Sequence, residues 1–111
     1  MATITNLYID AGADYSIIVT ANQGNGDPLD LTNYIVKSQI RKSYASSTAY
    51  DFTAAIYAAT SGKIRLSLTS TQTSAIKPGR YLYDVEITSA SNEKRRVLEG
   101  IIIITPEITQ V

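Results

Sequence analysis

The chain has no cysteine, no histidine and no tryptophan, only three prolines, and a single phenylalanine and methionine among its 111 residues. Without cysteine there is neither a disulfide framework nor a thiolate metal site, so a fold must stand on its core alone. Without histidine as well, the usual general base and the commonest transition-metal ligand are missing together. Neither charge sign is in excess: Lys+Arg and Asp+Glu are both 10 and the net charge is zero. Nothing is left over to release counterions from a nucleic acid or to hold an anionic membrane, so neither is an expected partner. Long apolar stretches are absent too. The isoleucine run 101–104 falls far short of the ~20 residues a membrane helix needs, and the opening MATITNLYID lacks the basic and apolar regions of a secretory signal. No Asn-x-Ser/Thr sequon, internal repeat, low-complexity segment or linker occurs.

What the chain does contain is alternation. In residues 62–69, Ile64, Leu66 and Leu68 alternate with Lys63, Arg65 and Ser67, the period of two that a half-buried strand requires. Residues 80–87 repeat it, with Tyr81, Tyr83, Val85 and Ile87 facing one way and Arg80, Asp84 and Glu86 the other. Between them Thr69-Ser70-Thr71-Gln72 has capping-box spacing and predicts one short helical turn near 70–76, which Pro78-Gly79 ends. Tyr81 then stands where sandwich domains place a corner tyrosine, its ring at the core edge and its hydroxyl on upstream backbone.

Taken in order, short strands recur at the spacing of an all-β sandwich. They are expected at 4–9, 15–21, 34–42, 50–57, 62–69, 80–87 and 94–105, separated by turn formers such as the loop 22–28 and the Ser-rich segment 43–48. In the third, Tyr34, Val36 and Ile40 point inward and Lys37, Gln39 and Arg41 outward. The fourth carries Phe52. With 44% hydrophobic and 18% charged residues, the chain has the makings of one ordered domain over 1–111, with a short tail from 106. The expected fold class is all-β, an immunoglobulin-like β-sandwich of about seven strands. Strands one, two and five form one sheet and three, six and seven the other, with four a hairpin partner of three; a closed barrel is the alternative.

Residues that carry chemistry are few. Asp84 and Glu86 lie two apart on one strand, about 7 Å apart on one face, a separation glycosidases use; cross-strand pairing with Lys37 and Arg41 explains them more simply. Asp10, Asp14, Asp27 and Asp30 sit in two loops but match no calcium pattern, so turn and capping roles account for them and no metal is expected. Gly24-Asn25-Gly26 precedes no Lys-Ser/Thr and no helix, and is no phosphate cradle. The eight tyrosines raise a sugar platform, against core packing for Tyr34, Tyr81 and Tyr83. No catalytic, cofactor-binding or small-molecule site is expected. One feature exceeds what a lone sandwich needs: with Leu98, Ile102 and Ile104 inward, Val97, Ile101 and Ile103 point out, and Leu82 and Ile35 are outward on strands of the same sheet. These five residues form the expected protein interface. The competing reading is a bulge at Gly100 that reverses the phase, or a terminal tail folded over the strand.

The segments DPLDLTNYIVKSQIRKS, SGKIRLSLTSTQTSAIKPGRYLYDVEI and RRVLEGIIIITPEIT together resemble the immunoglobulin-like domain of virion structural proteins of tailed bacteriophages, cyanophages included. They are similar to the N-terminal domain of phage baseplate upper proteins. The shared frame is a D-x-x-G-x-P-x-D-L-T-like loop, Q-I-R, G-x-I-x-L-x-L-T-x-x-Q-T, G-x-Y-x-Y-D-V-E-I, R-V-L-E-G and T-P-E-x-T, over about 15–109. The resemblance implies a non-enzymatic virion component without cofactor, multimeric in the particle and packed against other virion proteins of tail, baseplate or fibre attachment. It would be assembled in the host cytoplasm. That domain often heads a longer chain, whereas this sequence ends at Val111, so a small stand-alone component is expected. A capsid cement or decoration protein is the alternative, and a carbohydrate-binding module for host glycans the alternative of another class.

Overall fold

The computed structural model describes residues 3–22 and 26–106. Two strands in register make its centre. β8 (Gly79–Thr88) and β9 (Lys94–Thr105) pair antiparallel from Gly79↔Ile104 to Thr88↔Lys94. Tyr81, Tyr83, Val85 and Ile87 on the first, and Ile102 and Ile104 on the second, are buried as their period of two dictates. β4 (Ile35–Arg41) pairs with the other side of β8, and the short β5 (Ala49–Asp51) with β4. The second sheet holds β3 (Tyr15–Thr20), β7 (Lys63–Leu68) and β6 (Thr53–Ala58), in the order β3-β7-β6. Its inward Val19, Ile64, Leu66 and Leu68 meet the first sheet in one core. The result is an immunoglobulin-like β-sandwich.

Two expectations about sheet membership are corrected. The fourth strand is not one strand but two. At Phe52 the chain leaves β4, donating its N–H to the Ser38 carbonyl at 3.1 Å, buries its ring against Tyr15 and Tyr83, and from Thr53 onward pairs with β7 in the opposite sheet. A single large apolar side chain between two stretches of small and polar residues thus becomes the corner. The first strand joins the other sheet from the one expected. β1 (Thr3–Ile4) and β2 (Leu7–Asp10) run parallel to β9, giving the order β1-β9-β8-β4-β5 with β2 also on β9.

The cause lies at Gly100, which stands opposite Tyr83. The Tyr83 hydroxyl donates to the Thr5 carbonyl at 2.6 Å. A Cβ on Gly100 would come within 2.1 Å of that oxygen and 3.1 Å of the Tyr83 ring, so only glycine lets the first strand lie here. The interruption between β1 and β2 is that contact. Asn6 then accepts from the Ile101 N–H at 3.1 Å, and pairing resumes at Leu7.

The turn between β2 and β3 is held by the helix α1 (Ser70–Ala75). Its capping box is complete: Thr69 Oγ1 accepts from the Gln72 N–H, and Gln72 Oε1 from the Thr69 N–H. Buried Thr73 accepts from the Gly12 N–H at 3.0 Å and donates to the Ala13 carbonyl at 2.9 Å, while Asp14 accepts from the Ser70 N–H at 2.7 Å. The corner tyrosine is also as read: Tyr81 is buried and its hydroxyl donates to the Lys77 carbonyl at 2.6 Å. The tail from 106 lies outside the described residues after Pro106.

Tyr81→Phe is expected to lower stability by about 1 kcal/mol through the lost hydrogen bond, and Tyr81→Ala by roughly 3–5 kcal/mol. Gly100→Ala should remove at least about 2 kcal/mol, since the added methyl meets backbone that cannot turn aside. Urea midpoints at constant m-value measure all three; a Gly100→Ala midpoint equal to wild type would disprove the close approach.

Candidate interaction surface

The outer face of the larger sheet carries the outward residues, and strand register sorts them into rows. Leu82 stands opposite Ile101, and Ile103 lies between Arg80 on β8 and Tyr8 on β2. Leu82, Ile101 and Ile103 are half-buried and outward, as expected from the alternation. Val97 is not: it is only 6% exposed and belongs to the core. The register runs Val85↔Leu98 and then Glu86↔Arg96, so Val97 is the extra residue of a β-bulge, and both it and Leu98 turn inward. The bulge lies upstream of Gly100, the position where the sequence suggested one.

Ile35 also falls away from the cluster. It is outward and 63% exposed, but it stands opposite Thr88 while Leu82 stands opposite Arg41. Six residues of β4 separate those two levels, roughly 20 Å, and the space between holds the charged belt described below. In its place come two residues outside the expected five, Ile4 at 74% and Tyr8 at 71% exposure. Ile4 pairs level with Glu99 and Tyr8 with Ile103. The signal for them was the alternation of Leu7 and Ile9 with Tyr8; the neighbouring strand was not in the sequence. The apolar surface that results is Ile4, Tyr8, Leu82, Ile101 and Ile103.

Beside it runs a belt of mutually tied polar groups. Arg96 Nε reaches Asp84 at 3.1 Å and its Nη1 reaches Glu99 at 3.9 Å. The expected pairing with β4 is corrected for Asp84, whose partner comes from β9 because Gln39 occupies the position opposite it, whereas Lys37 does stand directly opposite Glu86. Arg41 is turned to the Ser46 carbonyl at 2.6 Å and to Gln39 Oε1 at 3.1 Å, while the Gln39 amide donates to Asp51 at 2.9 Å. Burial, with the neighbouring Glu86 charge, pushes the Asp84 carboxyl above the ordinary aspartate value, and Arg96 only partly opposes this.

The other residues singled out in the sequence are structural. Asp30 accepts from both the Thr32 N–H and hydroxyl, an Asx turn that holds its carboxyl below the usual range. Asp10 accepts from the Thr105 hydroxyl at 2.8 Å and Asp14 caps α1. Among the described residues no cluster of three or more acidic side chains is placed to hold a metal ion. Gly24 and Asn25 lie outside them. Exposed tyrosines occur on separate elements, Tyr8 on β2, Tyr44 in the loop after β4 and Tyr57 on β6 of the opposite sheet, the last under the Arg65 guanidinium. Tyr83 is pushed up to about 12 by burial, then by Tyr15.

Because the folded pKa of Asp84 is raised, the folded state holds that proton more tightly than the unfolded chain. Its contribution to stability is therefore largest below the unfolded value of 3.8 and declines as pH rises through the folded pKa. Asp84→Asn should remove that decline: in urea titrations across this acidic window the stability of the variant should rise relative to wild type as pH increases, and a difference that does not change with pH would assign the effect to another group.

No known sequence family matches this chain, and no curated protein does. Among solved structures, an internalin-like protein of Listeria monocytogenes aligns over 96% of this chain at 16% identity and a TM-score of 0.46; the chain spans 28% of its length. A structure from work on cell-adhesive interactions of VGSC beta subunits aligns over 96% of this chain and 93% of its own length, at 14% identity and 0.46. A family 123 glycoside hydrolase from Clostridium perfringens aligns over 97% of this chain and 24% of its own, at 11% identity and 0.44. Likeness of this degree transfers no function.

Proposed function

We propose that the protein is a non-enzymatic structural component of a tailed-bacteriophage virion, assembled in the host cytoplasm and seated at a symmetric site of the tail, baseplate or fibre attachment. The supporting observation is the apolar surface formed by Ile4, Tyr8, Leu82, Ile101 and Ile103. Its side chains project from paired strands, so a partner meets a preformed surface and little order has to be created on docking. The sequence resemblance to phage virion domains supplies the identity of the partners, other virion proteins. Burial of a few hundred Å² of such surface at roughly 25 cal/mol per Å² anchors one copy only modestly. Repetition around a ring or shell then makes the attachment firm. Asp84 and Glu86 are read as structural, since Arg96 holds the first of them and Lys37 stands opposite the second. Lattice binding on a capsid uses the same surface in the same way, and a density map of the intact particle distinguishes the two locations.

Ile101→Lys and Ile103→Glu should leave the thermal unfolding profile close to wild type and remove the protein from purified particles, as read by quantitative mass spectrometry. Ser91→Lys, on an exposed turn at the other end of β8 and β9, should incorporate normally. Folded Ile101→Lys and Ile103→Glu variants present in particles at wild-type levels would refute this docking surface. Absence of the wild-type chain from every particle fraction would refute the virion assignment itself.

A further inference from the structure

We propose that β3 is a self-association edge, through which two copies of this chain join their three-stranded sheets antiparallel about a two-fold axis at Ile18. The four sheet edges are not alike. In the larger sheet, one edge is broken between β1 and β2 and the other is β5, three residues long and ending in Asp51. In the smaller sheet β6 carries a bulge between Ile56 and Ala58. Interruption, shortness, charge and bulges are the devices by which sheets prevent strands of other molecules from adding on. β3 has none of them. Its six residues, YSIIVT, pair with β7 in unbroken register from Tyr15↔Leu68 to Thr20↔Lys63 and contain no charge, proline or glycine. Among the described residues no strand lies on its other side.

The core is also unfinished there. Ile64, Leu66 and Leu68 on β7 are buried, whereas the inward Tyr15 and Ile17 of β3 are only partly covered, and Ile18 on the outer face is 41% exposed. The first strand, which could have covered this edge, is taken by β9 instead.

Backbone phase selects a second copy and one register. The Ala21 N–H donates to the Gly62 carbonyl on the β7 side at 2.7 Å. By the alternation of antiparallel ladders, Ser16, Ile18 and Thr20 then direct both N–H and C=O to the free edge. Centring the axis on Ile18 sets Ser16 against Thr20 of the second copy and Ile18 against itself, so every one of these groups is satisfied in both copies. Inward, Ile17 meets Val19 of the second copy and closes the half-covered side of the core. At the ends Asp14 stands level with Asn22 of the second copy, so no like charges meet. Centring on Ile17 instead would set Thr20 against Asp14, beyond the strand end, and leave part of the edge unpaired. An isologous contact of this kind closes at two copies. The inference is independent of the virion assignment.

Because the natural chain has no cysteine, one introduced thiol reports the geometry. A hydrogen-bonded antiparallel pair separates its Cα atoms by about 5.5 Å, inside the range a disulfide spans. Under mild oxidation Ile18→Cys should give a cross-linked dimer at least tenfold faster than Ile35→Cys, which is also exposed but on the other sheet. Sedimentation equilibrium of the wild-type chain should show a monomer-dimer equilibrium, with Ile18→Lys and Ser16→Lys each weakening it at least tenfold while their circular dichroism stays native. Wild type that remains monomeric up to about 1 mM, where association would be worth only ~4 kcal/mol, overturns the proposal. So does cross-linking of Ile18→Cys no faster than of Ile35→Cys, or a folded Ser16→Lys variant that dimerises like wild type.

Discussion

The hydrogen bond from the Tyr83 hydroxyl to the Thr5 carbonyl, made over a glycine that leaves room for it, decides more of this structure than any other contact. It fixes the sheet that the first strand joins. With β1 and β2 on β9, Ile4 and Tyr8 come beside Ile101, Ile103 and Leu82, and scattered outward side chains become a surface. The same choice withholds a covering strand from β3. One apolar surface and one open edge, on opposite sheets, therefore share a single cause.

The rest of the fold secures the corners where the chain changes sheets. Phe52 makes one corner by burying its ring while its N–H still pairs with β4. Thr73 and Asp14 make another by binding α1 to the β2–β3 turn with side-chain and backbone bonds that leave no buried polar side-chain atom unsatisfied among the described residues. Tyr81 and the Lys77 carbonyl make the third, at the entry to β8. Each corner uses a polar atom at the margin of an apolar core, where an unmade hydrogen bond is costly and a made one is specific. The small core of a chain without disulfides is thereby held to one arrangement of strands.

The polar belt shows how the charges of one face are tied to one another. Asp84, Glu99 and Arg96 satisfy one another, as do Asp51, Gln39 and Arg41. These groups separate Ile35 from the apolar cluster and give the face a polar margin next to an apolar centre, the usual anatomy of a protein contact. Exposed ion pairs of this sort add little stability; what they supply here is a boundary.

Local pattern alone determined the class of fold, the places where strands recur, the capping box at Thr69 and Gln72, the corner role of Tyr81 and the outward phase of Leu82, Ile101 and Ile103. These follow from side-chain period and short-range hydrogen bonding, which are properties of neighbouring residues. Other matters were decided only by tertiary structure. The fourth region reads as one strand, but it divides at Phe52 because its two halves pair with different sheets. Val97 reads as outward by period, but the bulge opposite Val85 and Glu86 turns it into the core, and a bulge depends on the partner strand. Ile35 reads as part of the surface, but its distance from Leu82 depends on how β4 is aligned with β8. The first strand reads as a strand, but its sheet depends on a glycine that lies opposite Tyr83 and over ninety residues further along the chain. Register and sheet membership are relations between distant segments, and a period of two within one segment carries no information about its neighbour.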